Sequence, residues 1–175
     1  RDEPDAKEPP WTEPRPSRPA VLESFEGANL LGSSFSRLSL RGARFAGASL
    51  VGASFSEADL SGADFSGAEL RGTVFLRARL VDASFAGQKL EMVVAPYADL
   101  SGASFARARI ERSGFNHADL RGADFSNAHL WGVDLDGAVA GAAMGGVAGE
   151  AGAVTAGAVP AAGAGCWADA RAHRS

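Results

Sequence analysis

The side chains most often used for catalysis or metal binding are sparse in this chain of 175 residues. The three histidines and the single cysteine, Cys166, do not form a cluster with zinc-ligand spacing. His117 and His129 each occupy a position of the internal repeat that faces solvent, whereas a Ser–His–Asp or paired-carboxylate site needs a pocket. No glycine-rich loop precedes a helical pattern, as phosphate binding requires. We therefore expect no catalytic residue, no metal and no cofactor.

A second candidate site is a row of evenly spaced aspartates, which would act through its charge. Asp59, Asp99 and Asp119 share one position in a spacing of twenty residues, and Arg79 holds the same position between the first two. Carboxylates at this spacing would form an acidic stripe along one surface, which Arg79 interrupts. Such regular spacing must come from the element that carries these residues.

The structural element that sets this spacing is recognised by its regularly spaced phenylalanines and leucines. All ten phenylalanines fall on positions ending in five, and aliphatic residues occupy the positions ending in zero from Leu30 to Leu130. A large apolar residue at every fifth position fits neither a helix, with a period of 3.6, nor a simple strand, with a period of 2. It indicates an internal repeat, which determines the architecture.

Each five-residue unit is predicted to form one short side and one corner. The residue two before each large apolar residue is usually alanine, and this alternation puts both on one face with a polar residue pointing outward between them. Glycine often lies two positions after the large residue, where the chain must turn. At this corner position, glycines alternate with larger residues such as Arg37 and Glu57 in a period of twenty. Four sides therefore make one coil.

These patterns predict an all-β fold, a four-sided parallel β-helix of about six coils over residues 21–137. Two opposite walls of its interior would consist of phenylalanine and two of leucine. Residues 1–20 are rich in proline and charge, and predict a solvated arm or linker, with a recognition peptide around Trp11 as the alternative. Residues 138–175 are rich in alanine and glycine and predict a disordered tail or a loose cap.

The repeat breaks once, at residues 88–97. The centre shrinks to Ala95 while the inward neighbours grow to Gln88 and Val93, which is either a volume-conserving exchange or a kink that displays apolar groups. Stacking by twenties brings several outward apolar residues onto one wall there. The predicted partner-binding residues are Val74, Leu76, Met92, Val94 and Tyr97.

Charge and cysteine content narrow the functional classes. The formal net charge is −4, which is too small to favour direct nucleic-acid binding. One cysteine cannot form an internal disulfide, and the chain has neither a signal-peptide pattern nor a membrane-spanning run. We expect a cytoplasmic protein that is a monomer or an end-to-end homodimer. The sequence begins at Arg1 rather than at a methionine, which leaves open whether an upstream domain or targeting segment is missing.

Several units resemble the signature of the pentapeptide-repeat family. They are Ala-Asp-Leu-Ser-Gly at 58–62, Ala-Asp-Phe-Ser-Gly at 63–67, Ala-Asp-Leu-Arg-Gly at 118–122 and Ala-Asp-Phe-Ser-Asn at 123–127. The resemblance covers residues 23–137 and implies a right-handed quadrilateral β-helix. It also implies that the protein could imitate duplex DNA and bind DNA gyrase or topoisomerase IV, giving resistance to quinolones or other gyrase poisons. In that case Asp59, Asp99 and Asp119 would stand in for phosphates.

This chain departs from the gyrase-binding members of that family. It has no loop inserted into the coil, its C-terminal segment is too rich in glycine to resemble a dimerising helix, and its surface charges alternate. We therefore favour a non-enzymatic scaffold that presents a rigid surface to a protein partner of unknown identity. The DNA-mimicking binder of gyrase or topoisomerase IV is the alternative, and a structural spacer without a partner is a third interpretation.

Overall fold

Parallel pairing at an offset of twenty residues organises the fold. The structure is a computed structural model and describes residues 23–140 and a short strand at 159–160. The residue before each large apolar centre pairs with the residue twenty positions later, from Ser24 with Arg44 to Asp119 with Val139. Each coil of twenty residues carries four such positions, and residues 23–140 contain no helix. The predicted all-β, four-sided parallel β-helix is confirmed.

Most sides are too short to count as more than single bridges, and longer strands occur only toward the C-terminal end of the described coils. They are β1 (Lys89–Glu91), β2 (Arg109–Glu111), β3 (Asp119–Leu120), β4 (His129–Trp131), β5 (Val139–Ala140) and β6 (Val159–Pro160). The sheets have the orders β1-β2-β4 and β3-β5-β6.

The coil extends beyond the boundary expected at residue 137. Ala138 and Ala140 are buried, and Val139 pairs with Val159 at the same offset of twenty. The rest of the segment expected to form a tail or cap, and the proline-rich arm at 1–20, lie outside the described residues.

The corners are tight turns whose third residue has a positive φ. At the first corner Ala28 N–H donates to Phe25 O at 3.0 Å, and Gly27 between them has a φ of 63°. A type II turn requires this conformation, and glycine adopts it without steric cost. Pro96 occupies the second position of such a turn, where its fixed φ is favourable. The corner therefore accommodates Pro96 without strain.

Phenylalanine rings fill the interior in two directions. Rings twenty residues apart stack in parallel, as Phe45 and Phe65 do at 5.1 Å between centroids. Rings ten residues apart meet edge to face across the column, as Phe45 and Phe55 do at 5.4 Å. Offset stacking and edge-to-face contact are the preferred aromatic geometries. This arrangement confirms the two opposite phenylalanine walls, and the leucines line the other two.

The break in the repeat leaves an incomplete core. Ala95 occupies the position at which a phenylalanine ring would stack between Phe75 and Phe115. Val93, beside it, is buried. A cavity of about 10 Å³, the space open to the centre of a water-sized sphere, remains among apolar side chains there. The larger Val93 therefore compensates only in part for the smaller Ala95. Since a cavity lined only by apolar groups has no partner for water, it is expected to be dry.

Candidate protein-contact surface

The predicted contact residues lie together on the wall whose inward centres are Phe75, Ala95 and Phe115. We call this the front wall. Val74 and Val94 pair on it in parallel. Val94 is 43% exposed, and Met92 and Tyr97, at its two bordering corners, are 38% and 55% exposed. Val74 and Leu76 are half-buried.

One corner of the front wall carries side chains where other corners carry mainly glycine. Its successive third-turn residues are Arg37, Glu57, Arg77, Tyr97 and His117, which we call the corner ladder. Their φ angles run from 53° to 63°. A side chain in this left-handed conformation costs about 1 kcal/mol relative to glycine. Five consecutive coils accept that cost at this one corner.

The corner ladder is held together by contacts between coils. Arg37 Nε donates to Glu57 Oε2 at 3.1 Å. The Arg77 guanidinium carbon lies 5.8 Å from the centroid of the Tyr97 ring, which is within range of a cation–π contact. The Tyr97 and His117 rings stack at 4.9 Å. The Tyr97 ring thus contacts a residue of the coil before it and one of the coil after it, and it remains 55% exposed.

Sequence reasoning used these residues to count the sides of the coil and missed their mutual contacts. The available signal was the spacing of twenty, which already placed Arg77, Tyr97 and His117 on one line. His117 also lies against Gly137, since a Cβ at residue 137 would clash with the His117 ring at Nδ1. His117 and Asp136 meet through the backbone, with His117 N–H donating to Asp136 O at 2.8 Å.

The acidic stripe predicted from the sequence lies on another wall, whose inward centres are Leu60, Leu80, Leu100 and Leu120. We call this the aspartate wall. Asp59, Arg79, Asp99 and Asp119 stack there in parallel, as the spacing predicted. Arg41 Nη1 lies 3.2 Å from Asp59 Oδ2, and Arg121 Nε donates to both oxygens of Asp119 at 2.9 and 3.0 Å. The stripe is therefore largely neutralised by its own neighbours.

Each of these aspartates also closes the turn that follows it. Ser61 donates to Asp59 Oδ1 from both its amide, at 3.1 Å, and its hydroxyl, at 2.6 Å. Burial acts to raise the pKa of Asp59, but these hydrogen bonds, with Arg41 and Arg79, outweigh it and lower the pKa. A hydrogen bond from Arg121 is the main cause of the lowered pKa of Asp119. These carboxylates have a structural role whatever else they do.

The described coils contain neither a metal cluster nor a membrane span. No group of three His, Cys, Asp or Glu side chains among residues 23–140 could hold a metal ion. No helix among the described residues is long and apolar enough to cross a membrane. The cavity at Ala95 is apolar and lies inside the column.

A coil of five-residue sides around an apolar interior defines a repeat protein of the β-helix type. The model for pentapeptide repeats matches this chain in eight copies, over residues 24–56, 39–77, 93–122 and 103–139. These spans cover more than half of the chain, and the chain belongs to the pentapeptide-repeat family.

Solved pentapeptide-repeat structures resemble the chain at low similarity. HetL, a protein involved in heterocyst differentiation regulation in the cyanobacterium Nostoc, is 28% identical to this chain with a TM-score of 0.42. The match covers 67% of this chain and 65% of HetL, which is just under two thirds of the length of HetL. Rfr23 from the cyanobacterium Cyanothece is 19% identical with a TM-score of 0.40, covering 66% of this chain and 89% of that one. Full-length QnrB1, a plasmid-mediated fluoroquinolone resistance protein, is 22% identical with a TM-score of 0.33, covering 67% and 79%. Among curated proteins no relative matches.

Proposed function

We propose that this pentapeptide-repeat protein is a non-enzymatic scaffold that binds a protein partner through the front wall and its corner ladder. One observation carries the proposal: Met92, Val94 and Tyr97 are exposed together at the single break of the repeat. Exposed apolar groups that cluster on a rigid surface are typical of protein-contact sites. The single cysteine, Cys166, is compatible with the reducing cytoplasm, which we propose as its compartment.

The geometry of this surface suits protein binding. Its centre is apolar and flat, since the parallel backbone beneath it is paired to the coils on either side, as at Val74 and Val94. Its edge offers polar groups at Arg77, Tyr97 and His117, which the ring and cation contacts hold in place. An apolar centre with a polar rim is the usual anatomy of a protein interface. Because its side chains are already ordered, binding would lose little conformational entropy.

Two matched double variants test the contact surface. Leu76→Asp with Tyr97→Ala alters the front wall, and Ala106→Asp with Asn127→Ala makes the same changes at the equivalent turn positions of the opposite wall. We expect the first to abolish saturable capture of a partner by the full chain, while the second leaves capture unchanged. Equal capture by both variants would show that the front wall is not the binding surface.

The alternative function is binding to DNA gyrase or topoisomerase IV through the aspartate wall. Its support is the parallel stacking of Asp99 and Asp119, and the ion pairs of Asp59 with Arg41 and of Asp119 with Arg121 weaken it. A supercoiling assay with a quinolone present decides the matter. Protection that disappears when Asp59, Asp99 and Asp119 are all changed to lysine would establish this function in place of the first.

A further inference from the structure

A column of cationic side chains runs up the wall whose inward centres are Leu90, Ile110 and Leu130. We call this the cationic wall, and it adjoins the front wall at the corner of Met92. Strands β1, β2 and β4 form it, and their register places Lys89 beside Arg109 and Arg109 beside His129. All three side chains are exposed. Neighbouring strands lie about 4.8 Å apart, so these groups form a ladder at that spacing.

The stacking of like charges on the cationic wall is unusual for this molecule. Like charges directly opposite each other on neighbouring strands are destabilising. Elsewhere in residues 23–140, each outward cation stacks on a carboxylate, a neutral residue or an aromatic ring, as Arg79 stacks between Asp59 and Asp99. The pair Lys89 and Arg109 is the one place in these coils where two permanent cations follow each other.

Nearby carboxylates neutralise only the Lys89 end of the ladder. Lys89 Nζ lies 3.2 Å from Glu91 Oε2, and the pKa of Glu91 is lowered chiefly by its hydrogen bond from Lys89, with smaller effects from Arg71 and Arg112. Within the described coils neither Arg109 nor Arg107, at the corner that precedes it, forms an ion pair. Two unpaired guanidinium groups therefore remain beside Lys89 and His129.

We propose that the cationic wall binds an acidic protein segment, with Arg107 and Arg109 as its main contacts. Arginine binds carboxylates through two parallel hydrogen bonds, which makes a row of carboxylates the complementary ligand. Trp131, 57% exposed on the same wall beyond Glu111, offers an apolar contact next to the charges. A short protein segment fits better than a nucleic acid, because the two unpaired guanidinium groups match a few carboxylates, whereas a chain with a net charge of −4 does not attract a long polyanion.

The test uses a fluorescently labelled hexaglutamate peptide at low ionic strength. We expect saturable binding to the full chain that weakens as salt is added, because exposed charges are screened. Arg107→Gln with Arg109→Gln should weaken binding about tenfold, the effect of losing two charge-assisted contacts. Lysine at both positions should retain most of the affinity because it retains the charge.

A matched control separates a local site from a net-charge effect. Arg41→Gln with Arg79→Gln removes the same charge from the opposite wall. When the variants are compared at about 0.15 M salt, where the Debye length is about 8 Å, this control should change the affinity less than about twofold. The proposal is overturned if both double variants lose equal affinity, or if the wild-type chain does not bind the peptide. Tighter binding of a duplex oligonucleotide of equal charge would also overturn it, in favour of a nucleic-acid site.

Discussion

Restoring a phenylalanine at position 95 tests how the broken repeat is stabilised. In the double variant Val93→Ala with Ala95→Phe, a ring would connect Phe75 to Phe115, at the spacing of about 5 Å seen between stacked rings elsewhere in the core. It would also fill the apolar cavity, whose volume is about 10 Å³. The exposed residues of the front wall would stay as they are.

The expected gain in the free energy of unfolding is the difference between two opposing contributions. Truncating a buried phenylalanine to alanine usually costs about 3–5 kcal/mol, so the reverse change gains a similar amount where the ring fits. Reducing Val93 to alanine removes two methyl-sized groups at about 0.8 kcal/mol each. We therefore expect the double variant to be more stable by about 1–3 kcal/mol. Ala95→Phe alone should gain much less, because Val93 already occupies part of the space and overpacking causes strain.

Equilibrium denaturation in guanidinium chloride measures this difference. A higher midpoint at an unchanged m value would indicate a change in stability rather than in the unfolding transition. Partner capture should be unaffected, which makes the double variant a control for the surface variants as well. If its midpoint is equal to or below that of the wild-type protein, Val93 already compensates fully for Ala95 and our account of the cavity is wrong.

Two further predictions concern the corners and the turn carboxylates. Gly137→Ala should destabilise the protein by more than Gly62→Ala in thermal unfolding. Both residues have a positive φ, but only the Cβ at 137 would clash with a neighbouring ring, that of His117. Equal losses, each about 1 kcal/mol from backbone strain, would argue against the His117 contact. Ser126→Ala should raise the pKa of Asp124 toward its ordinary value, because the Ser126 hydroxyl is the main cause of its lowering. A lowered pKa stabilises the fold at neutral pH and loses that effect as the pH falls below the ordinary value of 3.8; a carboxyl titration by NMR that shows no change in the variant would contradict this cause.

The period of the sequence was sufficient to predict the fold of the coils. Spacings of five and twenty are set by the chain itself, so the four walls, the inward alanines and the pairing of Val74 with Val94 all followed from counting. The cavity at Ala95 was not predictable in the same way. Whether Val93 compensates for Ala95 depends on the shapes of their neighbours in other coils, which composition does not express.

The surface was less predictable than the core. Counting placed Asp59 and Asp119 on one stripe, but only side-chain geometry showed that Arg41 and Arg121 bind them. Likewise, Arg112 lies close to Arg107 and Arg109 in sequence, but the coil places it at a different corner, near Glu91. Rotamers and turns decide such partners, and single-sequence patterns leave them open.

The two periods of this chain have an evolutionary consequence. The interior repeats every ten residues, since phenylalanine faces phenylalanine across the column, as Phe55 faces Phe65 at 6.1 Å. The surface repeats only every twenty, because the valine at 74 recurs at 94 on the front wall and not on the opposite wall. Deleting ten residues would thus preserve the packing of the core while moving every later surface group to the opposite side of the rod. Duplications of twenty residues lengthen such a protein without changing what it displays, whereas those of ten create a new surface on an unchanged core.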